Sequence, residues 1–109
     1  MDRWQGSIAV VTGASSGIGA SIFETLALAG FVVIGLARRD HLIQNIIDQQ
    51  TPEVASRMHA RFCDVRDQDS VDGAYNYIIE NFGGIDVLVN DAGIFNQGML
   101  GWNRKLFRV

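Results

Sequence analysis

Between an apolar run and a helical pattern stands Thr12-Gly-Ala-Ser-Ser-Gly-Ile-Gly19. The chemistry open to such a loop is the holding of an anion. A helix N-terminus offers free N–H groups and a partial positive charge. Gly13, Gly17 and Gly19 let the backbone turn tightly and let a pyrophosphate approach with no Cβ in the way. Their spacing differs from G-x-G-x-x-G and from the P-loop, and Ala20 stands where a P-loop needs its lysine, which argues against ATP or GTP. On these eight residues alone, a ligand-free Gly/Ser turn remains the alternative.

About 20 residues past such a loop, a dinucleotide-binding fold places an acid for the ribose 2′-hydroxyl of NAD or an arginine for the 2′-phosphate of NADP. Here the chain reads Leu36-Ala-Arg-Arg39, with no acid at Ala37 and two guanidiniums directly after it. Arginine's fork suits a phosphate dianion and its plane stacks on a purine. Arg38 and Arg39 therefore favour NADP, against the alternative of two solvated side chains. Asp40 could draw one of them away or cap the next helix.

The elements that must position these groups alternate. Ile8–Val11 reads as a buried parallel strand that ends at the loop. Ile18, Ile22, Leu26 and Ala29 repeat at helical spacing, and Gly30 ends that helix. Phe31–Leu36 is a second strand. Asp40 then opens a helix through Leu42, Ile43, Ile46 and Ile47, with Pro52 beyond its end. His59–Val65 is a third, weaker strand. Asp67 or Asp69 opens a helix through Val71, Ala74, Tyr75, Ile78, Ile79 and Phe82, which Gly83-Gly84 stops. Ile85–Val89 is a fourth strand, leading into Asn90-Asp-Ala-Gly93. This alternation is βαβ winding around a parallel sheet, an α/β fold.

With 109 residues, 48% hydrophobic and 19% charged, the chain suits one globular domain. Its net charge of −3 disfavours a nucleic-acid partner. The three basic residues after position 93, Arg104, Lys105 and Arg108, read as a solvated face. Cys63 is the single cysteine and His41 and His59 are isolated, so neither a disulfide framework nor a metal site is expected. There is no signal peptide pattern and no apolar run long enough to span a membrane, so the expected compartment is the cytoplasm.

Three motifs, in order and spacing, resemble the short-chain dehydrogenase/reductases: Thr12–Gly19, then Cys63-Asp-Val65, then Leu88-Val-Asn-Asp-Ala-Gly93. The opening MDRWQG and Gly35-Leu-Ala-Arg-Arg-Asp40 are similar to the insect farnesol-dehydrogenase-like, NADP-dependent group within it. The resemblance implies the N-terminal half of a doubly wound, Rossmann-type sheet, β-α-β-α-β-α-β with strand order 3-2-1-4. It implies that Thr12, Gly13, Ser15, Ser16, Gly17, Ile18, Gly19, Arg38, Arg39, Asp64, Val65, Asn90, Ala92 and Gly93 bind NADP(H). Asp64 would meet the adenine amino group, the Val65 backbone the ring, and Asn90–Gly93 the sheet and the cofactor ribose. Asp91 departs from the family's second asparagine, and a carboxylate cannot donate the bonds an amide donates.

Proton transfer in this family uses a tyrosine with a lysine four residues later. Lys105 is the only lysine, and Gly101 precedes it by four; Tyr75 and Tyr77 are followed by Ile79 and Asn81. No Tyr-x-x-x-Lys exists, and no catalytic residue is expected in these residues. Residues 1–93 read as the NADP-binding half and 94–109 as a tail opening the next helix, in a truncated family member. The fourth strand should then present an unpaired apolar edge that invites self-association. The expected function is the NADP(H)-binding portion of an oxidoreductase of small alcohols and ketones, inactive alone. A non-catalytic cofactor-binding or dimerising module, or a non-functional product, are the alternatives.

Overall fold

A computed structural model describes residues 5–90 and the backbone of 105–108. Strands β1 (Ile8–Thr12), β2 (Val32–Ala37), β3 (Met58–Phe62), β4 (Val87–Asn90) and β5 (Lys105–Arg108) form one sheet in the order β3-β2-β1-β4-β5. Every neighbouring pair is parallel. Helices α1 (Gly17–Leu28), α2 (Asp40–Asp48), α3 (Pro52–Ala55) and α4 (Gln68–Phe82) connect the first four strands. The first four strands thus keep the expected order 3-2-1-4.

The central strands are apolar up to Thr12 and Asn90 at their ends because both their faces are covered. Ala9, Val11, Val33, Val87 and Val89 point to one face, where Phe23 and Ala27 of α1 and Ile43 and Ile47 of α2 meet them. Val10, Ile34, Leu36 and Leu88 point to the other, beneath Val71, Ala74 and Ile78 of α4. Tyr75 and Tyr77 pack at the rim of that second cluster, and the Arg61 guanidinium lies 4.1 Å from the Tyr77 ring centroid.

Where local elements differ from the sequence pattern, tertiary packing is the reason. The buried line of α1 is Gly19, Phe23 and Ala27, while Ile18 is 59% exposed. Ile22, Leu26 and Ala29 pack only at the edge of that cluster. The helix turns its Gly19–Phe23–Ala27 line inward where Gly35 of β2 lets the Phe23 ring approach the sheet closely. Arg39, not Asp40, occupies the N-cap position of α2, and no side chain caps it. Pro52 opens the short α3 behind Thr51, whose Oγ1 accepts the Val54 N–H. Asp67 caps α4 by accepting the Asp69 N–H, and Gly83 ends it.

The tail reading is corrected at Lys105–Arg108. These residues pair with β4, from Val87↔Lys105 to Asn90↔Arg108, instead of continuing a helix. A strand there satisfies the outward N–H and C=O groups of β4, which a helix would leave to solvent. The unpaired edge expected on β4 is therefore covered, and β5 takes the outer position of the sheet. Among the described residues no helix is long and apolar enough to cross a membrane.

One histidine ties stability to pH. His59 on β3 meets the Phe82 ring edge-on at a centroid distance of 4.9 Å. Burial lowers its pKa from the ordinary 6.5. Its neutral form is thus favoured by folding. The contribution is complete above the unfolded value and is lost as pH falls through the folded one. Urea midpoints of the wild type should fall below about pH 6.5, and His59→Phe should flatten that fall.

Candidate functional site

The parallel strands all end on one side, and the crevice outside their C-terminal ends is where open α/β sheets bind ligands. Here a cleft of about 380 Å³ opens at that place. Its walls are Gly13, Ser15 and Ser16 after β1, Leu36–Arg39 at the end of β2, and Cys63–Arg66 after β3. Of the residues expected from sequence, the fold brings together Gly13, Ser15, Ser16, Arg38, Arg39, Asp64 and Val65.

The glycine loop is built by backbone geometry. Gly13 sits at φ 67° and its N–H donates to the Leu36 carbonyl at 2.9 Å, which ties the loop to β2. Gly17 sits at φ 61°, and the space a Cβ would enter there is open. Ser16 takes the N-cap position of α1 in an extended conformation, with no side-chain cap bond, and the first turn holds no acid. Among the described residues the helix therefore presents its N-terminal N–H groups and dipole with no side-chain cap and no acid in its first turn. Gly17, Ile18 and Gly19 form that first turn and do not line the cleft wall itself.

Thr12 and Asn90 take another place. Both are buried, and the Thr12 hydroxyl lies 3.1 Å from Asn90 Oδ1, to which it donates, and 3.4 Å from the Val89 carbonyl. They fasten β1 to β4 beneath the loop. Thr12→Val keeps the shape but removes the donor, and should lower unfolding free energy by about 1–3 kcal/mol, read from urea melts. Asp91, Ala92 and Gly93 lie outside the described residues.

On the opposite wall the charges are uneven. Arg38 and Arg39 are exposed, and neither makes an ion pair among the described residues. Asp40 does not draw either one away. Asp64 is held by the next turn: Oδ1 accepts the Arg66 N–H at 3.0 Å and Arg66 Nε–H at 3.3 Å. The Asp64 N–H in turn donates to Ser70 Oγ at 2.8 Å. The two Arg66 bonds, with the charges of Arg66 and Arg38, hold the Asp64 carboxyl below its ordinary range, so it is an anion at neutral pH. Cys63 is the reverse case: burial pushes its thiol up, leaving it inert.

Sequence reasoning missed Arg66, Leu36, Ala37 and Cys63 as cleft residues. The signal was present for the last three, which stand at strand ends in a parallel sheet. Arg66 carried only a weak one: it follows Asp64 by two positions, the separation at which an aspartate accepts a backbone N–H.

Residues 7–105 match the family model described as short chain dehydrogenase. The chain is 48% identical over 97 residues to farnesol dehydrogenase of Aedes aegypti, covering 89% of this chain and 40% of that protein. Among solved structures it is similar to an alcohol dehydrogenase from the archaeon Thermococcus sibiricus complexed with 5-hydroxy-NADP. The TM-score is 0.72 at 32% identity, over 78% of this chain and 36% of the other. It is also similar to a 3-ketoacyl-(acyl-carrier-protein) reductase from Brucella melitensis complexed with NADH, with a TM-score of 0.69 at 27% identity, over 78% and 33%. The chain thus spans about two-fifths of the length of the curated relatives it matches. A glycine loop between β1 and α1, a cleft at the strand ends and a sequence match over nearly every residue agree: the chain belongs to the short chain dehydrogenase family, whose oxidoreductases bind nicotinamide cofactors.

Proposed function

We propose that this chain is the NADP(H)-binding portion of an oxidoreductase of small alcohols and ketones. The observation that carries the choice of NADP is the pair of guanidiniums at the end of β2, exposed and free of ion pairs among the described residues. Relatives are known with both an NADP derivative and NADH, so the family leaves the cofactor open. A guanidinium pair at the ribose end prefers the phosphorylated form.

The residues present fit the group. Open space at Gly17 and an uncapped α1 N-terminus suit a pyrophosphate. Arg38 and Arg39 would hold the 2′-phosphate, Asp64 would accept from the adenine amino group, and the Val65 backbone would meet the ring. When bound, the cofactor supplies a hydride donor or acceptor. The 109 residues contain no Tyr-x-x-x-Lys to move the accompanying proton. An unaided tyrosine near pKa ~10 is a poor acid–base at neutral pH. That absence favours binding without turnover by these residues alone, and catalysis requires the pair to be supplied from elsewhere.

Fluorescence titration of the 109-residue chain tests the reading. Saturable NADPH binding, tighter than that of NADH, is expected, with no reductase turnover above background. Absence of NADPH binding at millimolar cofactor overturns the assignment. Turnover by this chain overturns its inactivity.

A further inference from the structure

The cleft holds one charged residue that the cofactor reading leaves without a task, and its bonds are asymmetric. Both Arg66 bonds to Asp64 fall on the same oxygen, Oδ1. Oδ2 receives no hydrogen bond from any described residue. Arg66 contributes its backbone N–H and Nε–H, so the carboxylate is gripped from one side and cannot rotate to exchange its oxygens without breaking both. Ser70 of α4, through its bond to the Asp64 N–H, fixes the backbone beneath. Arg66 and Asp64 both line the cleft.

We propose that Arg66 is a positioning residue that holds the Asp64 carboxylate so that its Oδ2 is a fixed acceptor, and so selects a purine bearing an amino group over one bearing a carbonyl. The proposal rests on the cofactor reading above. An ionised carboxylate has no donor to offer. An exocyclic amino group facing it gains a charge-assisted bond, while a carbonyl oxygen in that place meets a like partial charge and leaves an acceptor unmatched. Had the carboxyl been free to protonate, it could donate to a carbonyl and the discrimination would fade.

Among the described residues two charges bear on Asp64: Arg66 on its own loop and Arg38 from the end of β2, while the Cys63 thiol beside it in sequence is kept neutral by burial. Only Arg66 combines charge with directed hydrogen bonds. Removing its side chain leaves the backbone N–H bond and the attraction of Arg38. It releases the Nε grip and lets the carboxylate turn. Arg66 is 61% exposed, so the substitution costs the core nothing.

The test is equilibrium binding of NADPH and of its hypoxanthine analogue to the wild-type chain, Arg66→Ala and Arg66→Lys, across a pH series. The wild type should prefer the adenine form. In Arg66→Ala that preference should fall by roughly tenfold, and the acid limb of NADPH binding should move to higher pH. Arg66→Lys, which keeps the charge but not the fork, should restore the acid limb while leaving the preference weakened. NADPH binding by all three with unchanged preference and an unchanged acid limb overturns the role of Arg66 alone. Failure of the wild type to bind either nucleotide overturns the cofactor reading and this role with it.

Discussion

Replacing Arg38 and Arg39 together by alanine should weaken NADPH binding by roughly a hundredfold or more while leaving NADH binding within about two- to fivefold. The larger loss follows from the two charge-assisted contacts to a phosphate dianion, each worth about 1.5–3 kcal/mol when made by a charged partner. The smaller loss is what remains if an arginine face also stacks on the adenine, about 0.5–1 kcal/mol at an exposed site. Both guanidiniums stand at the mouth of the cleft, exposed and outside the core, so stability should be unchanged. Because the two arginines share one ligand group, their single losses need not add to the double one. Equal weakening of NADPH and NADH, measured by fluorescence titration at fixed ionic strength, would exclude a 2′-phosphate role.

The second large effect lies in the core beneath the site. Phe23 of α1 is fully buried against β2, where Gly35 leaves room for it. A Cβ added at Gly35 would stand 3.0 Å from the Phe23 ring, 3.1 Å from the Ala14 methyl and 3.1 Å from an Ile43 methyl. Phe23→Ala should therefore cost about 3–5 kcal/mol, against a total of about 5–15 kcal/mol for a typical domain. Gly35→Ala should cost about 1–3 kcal/mol, since all three neighbours are themselves wholly buried and have little room to give. The double variant should be less destabilised than the sum, because the new methyl enters the space the ring vacated. Urea melts of the three variants read this directly. Strict additivity would mean that ring and glycine do not meet. The consequence reaches the site, because the loop that leads into α1 and the end of β2 are two of its three walls and this contact helps to hold them in place.

Much of this protein was legible in the order of its residues. The strand–loop–helix context of Thr12–Gly19, the arginines after β2, and Asp64 after β3 pointed to Gly13, Ser15, Ser16, Arg38, Arg39 and Asp64, which line one cleft. Such positions can be read because parallel strands end together, so a residue's place at a strand terminus also fixes its place in space. The segments of β1, β2 and β4 were legible for a related reason: a strand covered on both faces must be apolar along most of its length, whereas β3, with His59 and Arg61 at the sheet edge, gave a weaker pattern. The missing Tyr-x-x-x-Lys was equally plain, because an absent spacing of residue types needs no coordinates to detect.

What the tertiary structure alone decided depends on neighbours distant in sequence. Helical spacing included Ile18 in the apolar stripe of α1, but the approach of the helix to Gly35 turned the Gly19–Phe23–Ala27 line inward and left Ile18 in solvent. Thr12 and Asn90 were grouped with the cofactor residues by motif, yet they meet each other across 78 positions and clamp β1 to β4. The pairing of Lys105–Arg108 with β4 could not be foreseen from an amphipathic tail, since the backbone groups that attract a strand belong to another segment. Arg66 gained its place only when the turn after β3 folded its side chain back onto Asp64. The residue types set which chemistry is available, whereas close packing between distant segments set which of those residues face the cleft and which became part of the frame.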